Sequence, residues 1–285
     1  MPLSSQGSVM RLADSVLQTW LAEDAPFGDL TTTSLAIGSV AGRMRFAARS
    51  AMVLALGAEA ARLLELAGAK VEVIAGDGSH LAAGDDILLA KGDAGALLLG
   101  WKVAQTLLEM ASGIASAAAA LVAAAHAVNP NITVACTRKS FPGTRAVAVK
   151  AILAGGAVPH RLGLSETVLV FAEHLAFTGH RPLSGVIAEL KRRCPEKKVV
   201  MEVADLQAAL KAAEAGADVL QLEKFSPEQV AETAHALSDW GGTLAAAGGV
   251  NAGNAAAYAR AGAGVLVTSS PYWAAPKDVA VTISA

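Results

Sequence analysis

Residues 215–222 read Ala-Gly-Ala-Asp-Val-Leu-Gln-Leu, and residues 261–266 repeat the start of that pattern as Ala-Gly-Ala-Gly-Val-Leu. In both segments a glycine follows a helical stretch, where it can adopt the left-handed conformation that ends a helix. A short apolar run then begins at once, as expected of a buried strand. The two segments therefore predict repeated helix-to-strand joints, which are typical of βα units.

The same rhythm extends outward from this repeat. The predicted strands cover 132–136, 168–171, 199–201, 219–222, 244–247 and 265–267, and the predicted helices cover 143–153, 183–193, 205–215, 227–237 and 254–260. Short buried strands that alternate with helices indicate a parallel sheet. Six such strands favour an incomplete β/α barrel, and a doubly wound open sheet is the alternative.

The chain before about residue 105 follows a different pattern. Segments 70–74 and 86–90 read as strands, glycine turns lie between them, and 57–66 has the apolar spacing of a helix. This part of the sequence predicts an antiparallel sheet with helices on one face.

Composition excludes several protein classes. Of 285 residues, 53% are hydrophobic and 17% are charged, and the net charge is −2. These values exclude a disordered protein and argue against general nucleic-acid binding. Two cysteines, Cys136 and Cys194, cannot form a disulfide framework or a four-ligand zinc site, so a reduced, cytoplasmic setting is expected.

One uncharged stretch requires a test for membrane insertion. Met110 to Thr137 carries no formal charge. It is rich in alanine and lacks the leucine density of a spanning helix. The prediction is a tightly packed buried helix that ends near Val128, with no membrane insertion.

Polar residues follow several of the predicted strands at the point where each ends. In parallel α/β barrels function gathers at the carboxyl ends of the strands, so one pocket is expected there. His160 and Arg161 fall in a loop just before a strand. The residues at the strand ends are Arg138, Lys139, Glu202, Glu223, Gly248, Gly249, Ser269 and Ser270.

The residue types in this set indicate anionic ligands. Arg138, Lys139 and Arg161 supply positive charge, and arginine suits carboxylate or phosphate. The alternatives are a solvated loop for the basic pair and a Schiff-base role for Lys139.

Acidic residues and glycines complete the expected pocket. Gly248-Gly249 lets backbone N–H groups approach a phosphate, ahead of a helix that we expect to begin near Asn251. Glu202 and Glu223 can hold Mg²⁺ or hydrogen-bond sugar hydroxyls. Turns without a ligand and structural salt bridges are the alternatives here.

Residues 137–145, Thr-Arg-Lys-Ser-Phe-Pro-Gly-Thr-Arg, resemble the T-R-K-T-x-P-G-x-R signature of quinolinate phosphoribosyltransferases. Further matches follow in order at 23–32, 112–116, 155–156, 160–164, 202–203, 215–218 and 248–250. The resemblance implies an α/β protein with two domains. One is an N-terminal open-faced α/β sandwich of residues 1–107, to which 271–285 return, and the other is a six- or seven-stranded β/α barrel of residues 108–270.

The resemblance also implies an activity and an assembly. Family members transfer the phosphoribosyl group of phosphoribosyl pyrophosphate to quinolinate with Mg²⁺, in a homodimer whose subunits share the site. In this sequence Phe171 stands where the family has a substrate-binding lysine, and Lys102 aligns with the arginine that the neighbouring subunit supplies. These departures resemble a subgroup of the family that is associated with molybdenum transport systems.

The resemblance assigns roles as follows. Glu202, Glu223 and Lys139 are expected to be catalytic, and Glu202 and Glu223 to bind Mg²⁺. Substrate binding is expected at Arg138, Lys139, His160, Arg161, Phe171 and the partner's Lys102, and phosphate binding at Gly248, Gly249, Ser269 and Ser270. The expected acceptor is an aromatic or pyridine carboxylic acid. A true quinolinate phosphoribosyltransferase and a non-catalytic anion- or nucleotide-binding protein linked to molybdate uptake are the alternatives.

Overall fold

The computed structural model describes residues 11–285. Its elements in chain order are α1 (Asp14–Asp24), α2 (Leu30–Ser34), β1 (Ala41–Ala48), β2 (Met52–Val53), α3 (Gly57–Leu66), β3 (Lys70–Val73), β4 (His80–Leu81), β5 (Asp86–Asp93), α4 (Ala94–His126), β6 (Thr133–Cys136), α5 (Arg145–Ala154), β7 (Val158–Pro159), β8 (Val168–Val170), α6 (Ala172–Leu175), α7 (Leu183–Arg193), β9 (Val199–Val203), α8 (Leu206–Glu214), β10 (Val219–Glu223), α9 (Pro227–Ala236), β11 (Thr243–Ala247), α10 (Ala255–Arg260), β12 (Val265–Thr268), a 3₁₀ helix (Ser270–Trp273) and β13 (Val279–Ser284).

The first compact unit contains a four-stranded sheet. The unit comprises the chain up to Ala119 together with Phe141–Gly156 and Pro271–Ala285. Its strands lie in the order β13-β1-β5-β3 and pair antiparallel. The sheet places Met44 and Phe46 of β1 in the core, together with Leu64 of α3. The prediction of an antiparallel sheet with helices is confirmed.

Helix α4 is longer than the sequence predicted, and most of its side chains are buried or partly buried. It begins at Ala94, and its fully buried residues Ala111, Ala115 and Ala118 recur at helical spacing, whereas Met110 is 51% exposed. The helix is long and apolar enough to cross a membrane by length and composition, and 39% of its most apolar window is buried. The predicted end near Val128 is close to the observed end, and the prediction of a buried helix is confirmed.

The second compact unit contains the parallel sheet. The unit comprises Ala120–Ser140 and Ala157–Ser270, and its seven strands lie in the order β7-β6-β12-β11-β10-β9-β8. Each strand from β8 to β11 lies beside its successor, and β12 also pairs with β6. A doubly wound sheet would reverse its strand order at a switch point. The chain instead winds one way, which confirms the incomplete β/α barrel.

The predicted boundary at 107/108 stays a prediction. Residues 108–119 and 141–156 belong to the first compact unit rather than to the barrel unit. The first ten residues of the predicted N-terminal domain lie outside the described residues.

Candidate active site

A cavity of about 670 Å³ lies in the second unit, at the carboxyl ends of the barrel strands. Side chains alternate between the two faces of a strand, so one residue in two can line it. The lining residues are Thr137, Arg138, Lys139, His160, Arg161, Leu169, Phe171, Glu173, Glu202, Gln221, Glu223, Ala247, Gly248, Gly249, Val267, Thr268 and Ser269.

Two of the basic residues reach the cavity from a strand that the sequence did not reveal. β7 precedes His160, whose backbone N–H donates to the Cys136 carbonyl oxygen at 2.8 Å. His160 and Arg161 lie in the loop that precedes β8, as the sequence predicted. They also directly follow β7, and this puts them at the same sheet edge as Arg138 and Lys139.

Arg161 is a buried cation. It is 8% exposed, and burial together with repulsion from Arg138 lowers the pKa of its guanidinium. Among residues 11–285 no carboxylate lies within ion-pair distance of it. A desolvated guanidinium without an acidic partner is costly, so this position suits an anionic ligand.

An aromatic stack borders Arg161. The guanidinium carbon lies 5.7 Å from the centre of the Phe171 ring, a cation–π distance. The Phe171 ring in turn stacks on His174, with centres 5.6 Å apart and planes at 16°. Phe171 thus gives the cavity an apolar wall directly beside its most buried cation.

His160 contributes an uncharged imidazole. Burial lowers its pKa, and the neighbouring positive charge of Arg161 lowers it further, whereas Glu166 acts in the opposite direction. Because a free imidazole already titrates slightly below neutral pH, the His160 ring is neutral at pH 7. It therefore offers a hydrogen bond to a ligand rather than a charge.

The surroundings of Glu202 disfavour the charged form of its carboxylate. Burial raises its pKa, and repulsion by Glu223 and by Glu173 adds to that rise. Lys139 and a hydrogen bond from Gln221 act the other way. In that bond the Gln221 amide nitrogen donates to Glu202 Oε2 at 2.7 Å.

The glycine pair forms a left-handed turn after β11. Gly248 and Gly249 have φ of +83° and +86°, which favour glycine. Side-chain amides of Asn251 and Asn254 donate to the Gly249 carbonyl oxygen, each at 3.0 Å. The helix that follows the pair is Ala255–Arg260, which matches the predicted 254–260 but begins four residues after Asn251, so the turn itself forms the loop.

Two predicted site residues do not line the cavity. The Ser270 backbone N–H donates to Thr268 Oγ1 at 3.0 Å as the 3₁₀ helix begins. Lys102 lies on α4, where its ammonium lies 4.3 Å from the centre of the Trp101 ring and donates to Gln105 Oε1 at 2.9 Å. Its role in a partner's site stays a prediction.

Seven lining residues had no role predicted from the sequence: Thr137, Leu169, Glu173, Gln221, Ala247, Val267 and Thr268. Gln221 is 5% exposed, and its Oε1 finds no partner within the described part of the chain. A single amide between Leu220 and Leu222 was a visible signal, because buried polar groups are rare unless they serve a purpose.

The acidic pair fits a magnesium ion that is shared with a phosphate ligand. No group of three or more His, Cys, Asp or Glu residues able to hold a metal occurs within residues 11–285. Glu202 and Glu223 nevertheless line one cavity. Mg²⁺ commonly binds one or two carboxylates and completes its shell with substrate phosphates and water. Two carboxylates beside basic side chains suit that arrangement.

Comparisons with known proteins agree with this geometry. The family description "Quinolinate phosphoribosyl transferase, N-terminal domain" matches residues 29–112, and the corresponding C-terminal domain matches residues 114–282. A protein of Rhodobacter capsulatus that bears the name pyrophosphorylase ModD is 54% identical over 87% of this chain and 96% of its own length. Human nicotinate-nucleotide pyrophosphorylase [carboxylating] is 35% identical over 78% of this chain and 74% of its own length.

Solved structures give the same result. The crystal structure of NadC from Streptococcus pyogenes superposes with a TM-score of 0.88, at 26% identity, over 96% of this chain and 99% of that chain.

Proposed function

The chain belongs to the quinolinate phosphoribosyltransferase family of pyrophosphorylase-type pentosyltransferases. From this premise we propose that it transfers the phosphoribosyl group of phosphoribosyl pyrophosphate to an aromatic carboxylic acid other than quinolinate. One observation carries the proposal: a single cavity combines Arg138, Arg161 and the Gly248-Gly249 turn with the aromatic face of Phe171.

In the proposed reaction the bond between the anomeric carbon and a pyrophosphate oxygen breaks, and the lone pair of a nucleophilic acceptor atom, such as a pyridine nitrogen, forms a new bond to that carbon. Pyrophosphate leaves with the electron pair, so positive charge develops on the ribosyl ring. Glu202 and Glu223 stabilise this charge because their carboxylates are already oriented in the cavity. Lys139 and the glycine turn hold the departing phosphates. Glu202 and Glu223 would hold Mg²⁺, which would supply further neutralisation of the pyrophosphate.

Phe171 limits which acceptor molecules the cavity can bind. An aromatic ring there binds a flat ligand but offers no partner to a second carboxylate. Loss of a charged partner from a desolvated site costs about 2–5 kcal/mol, or roughly two to three decades in affinity. Weak quinolinate turnover is therefore expected.

The setting of the reaction is also part of the proposal. We place it in the cytoplasm, because the described cysteines are free thiols. A homodimer and a link to molybdenum uptake follow from the resemblance to the ModD subgroup.

The test is a turnover screen. Purified protein is incubated with phosphoribosyl pyrophosphate, Mg²⁺ and a panel of pyridine and benzene carboxylates, and pyrophosphate release and product mass are measured. Arg161→Ala is expected to lose turnover, whereas Arg260→Ala, an exposed arginine of α10 outside the cavity lining, is expected to keep it.

Three results would contradict the proposal. Quinolinate turnover at the rate of an ordinary family member would refute the acceptor. Tight molybdate binding by calorimetry, with no binding of phosphoribosyl pyrophosphate, would favour a non-catalytic anion-binding protein. Borohydride trapping of a carbonyl substrate on Lys139 would favour Schiff-base chemistry.

A further inference from the structure

The charges that line the cavity balance. Its basic side chains are Arg138, Lys139 and Arg161, and its acidic ones are Glu173, Glu202 and Glu223. The neutral imidazole of His160 adds no charge. Phosphoribosyl pyrophosphate carries several negative charges, which the proposed Mg²⁺ and the partner's Lys102 would help to neutralise, so the choice of acceptor depends on the residues around Phe171.

Arg161 lies beside the Phe171 ring. It is buried and has no ion-pair partner among the described residues. A planar guanidinium beside an aromatic ring can bind the carboxylate of a flat molecule that packs along that ring. Arg161 therefore accepts one negative group.

Glu173 offers hydrogen-bond acceptors to the same cavity. It follows Phe171 by two residues, in the first turn of α6. Its charge acts on the Glu202 carboxylate, so the two acids face a common space. A second carboxylate of the acceptor would be repelled here and would also lose its hydration.

From this arrangement we infer that the acceptor carries a single carboxylate, bound by Arg161, and beside it a hydrogen-bond donor such as an amine, bound by Glu173. The inference rests on the proposed function and narrows its substrate class. Glu173 and Phe171 are then the residues that determine substrate specificity. Phe171 provides no positive charge for a second carboxylate, and Glu173 provides a hydrogen-bond acceptor instead.

Three pyridine acids that differ at one ring position test the inference. They are pyridine-3-carboxylate, 2-aminopyridine-3-carboxylate and pyridine-2,3-dicarboxylate, and each is titrated into the intact protein by calorimetry. We expect 2-aminopyridine-3-carboxylate to bind at least about tenfold more tightly than pyridine-2,3-dicarboxylate. Equal or tighter binding of the dicarboxylate to the unmodified protein would overturn the inference without any variant.

Variants then assign the preference to the two residues. Glu173→Gln is expected to remove most of the advantage of the amino compound, and Phe171→Lys to raise affinity for the dicarboxylate about tenfold or more. The matched controls are Glu232→Gln, which removes an exposed acid of α9, and Phe177→Lys, at a 92% exposed phenylalanine; neither position lines the cavity. Equal effects of test and control variants would refute the assignment.

Titration with phosphoribosyl pyrophosphate separates this inference from the proposed function. If that compound fails to bind, the proposed function fails, whatever the order of the three acids. If it binds and the dicarboxylate is preferred, only the inference on the acceptor fails.

Discussion

At the scale of single residues, the contact whose loss should cost the most stability is a buried ion pair in the first unit, and neither of its residues lines the proposed site. Lys150 of α5 and Glu59 of α3 are 2% and 3% exposed at their side chains, and Nζ lies 2.6 Å from Oε1. Asp77 lies 3.7 Å from the same ammonium. The second Glu59 oxygen has no partner within the described chain, so Lys150 offsets most of the cost of burying this acid.

Lys150→Met should therefore destabilise the protein. Removal of one member of a buried ion pair leaves the other charge uncompensated and costs about 3–5 kcal/mol. The double variant Glu59→Leu with Lys150→Met should recover much of that loss, because it removes both charges. Urea unfolding checks both, with Lys70→Met at an exposed position of β3 as control. A loss no larger than that of the control would contradict the buried-pair interpretation.

Cys136 gives a second test at this scale. Its side chain is fully buried at the end of β6, and burial raises the pKa of its thiol to about 12. At pH 8 only about one thiol in ten thousand is then ionised, and the thiolate is the reactive form. Iodoacetamide at pH 8 should leave Cys136 unmodified in the folded protein and alkylate it in urea, as read by peptide mass spectrometry. Rapid alkylation of the folded chain would show that this strand end is open.

Sequence reasoning found many of the lining residues but not their partners. Arg138, Glu202 and Gly249 were predicted because each follows a recognisable strand and has a side chain or backbone suited to anions. The Lys150–Glu59 pair was missed because its members are distant in sequence, and only packing brings them together. The unpaired Oε1 of Gln221 was missed for the same reason. Gln221 lies in register with Glu202 on the neighbouring strand, and its amide nitrogen donates to that carboxylate.

At the scale of elements, the glycine turn after β11 requires that the Gly248 backbone lie close to Lys224, next to the end of β10. A Cβ at Gly248 would lie 2.7 Å from Lys224 Cγ and 2.8 Å from Lys224 N, whereas nothing lies within 4 Å of a Cβ at Gly249. Both residues have positive φ. Only Gly248 thus combines a strained conformation with a steric clash.

Gly248→Ala should therefore cost more than Gly249→Ala. Each alanine incurs about 1 kcal/mol of backbone strain, and the first must also displace the β10 end that carries Glu223. We expect Gly248→Ala to weaken binding of phosphoribosyl pyrophosphate about tenfold more than Gly249→Ala does, measured by calorimetry, with thermal unfolding to check folding. Equal losses in both variants would mean that the turn moves freely.

Elements with a clear period were the easiest to predict. The strands at 199–201, 219–222 and 244–247 stand out because each is an apolar run between helical stretches. β7 was missed because a strand of two residues shows no hydrophobic periodicity, and one of the two is proline. β1 was also missed, although Arg43 and Arg45 alternate with the buried Met44 and Phe46; its signal was present but short and interrupted by glycine.

At the scale of the whole molecule, α4 carries the residue that the predicted homodimer would share. Most of the helix is buried or partly buried, but Lys102 is exposed and Met110 is 51% exposed. Both side chains are therefore free to meet another chain. The predicted homodimer uses this exposure, because Lys102 of each subunit would enter the partner's site.

A mixing experiment tests this shared site directly. Lys102→Ala and Arg161→Ala should each be inactive in pyrophosphate release, because each lacks one contributor to every site. In a mixed dimer one site receives both native residues, so an equimolar mixture after subunit exchange should regain about a quarter of the original activity. Sedimentation should give twice the chain mass of 28.7 kDa. Lys211→Ala, at a lysine of α8 that does not line the cavity, is the matched control and should stay active alone. An inactive mixture of exchanged dimers would mean that each subunit builds its site from its own residues.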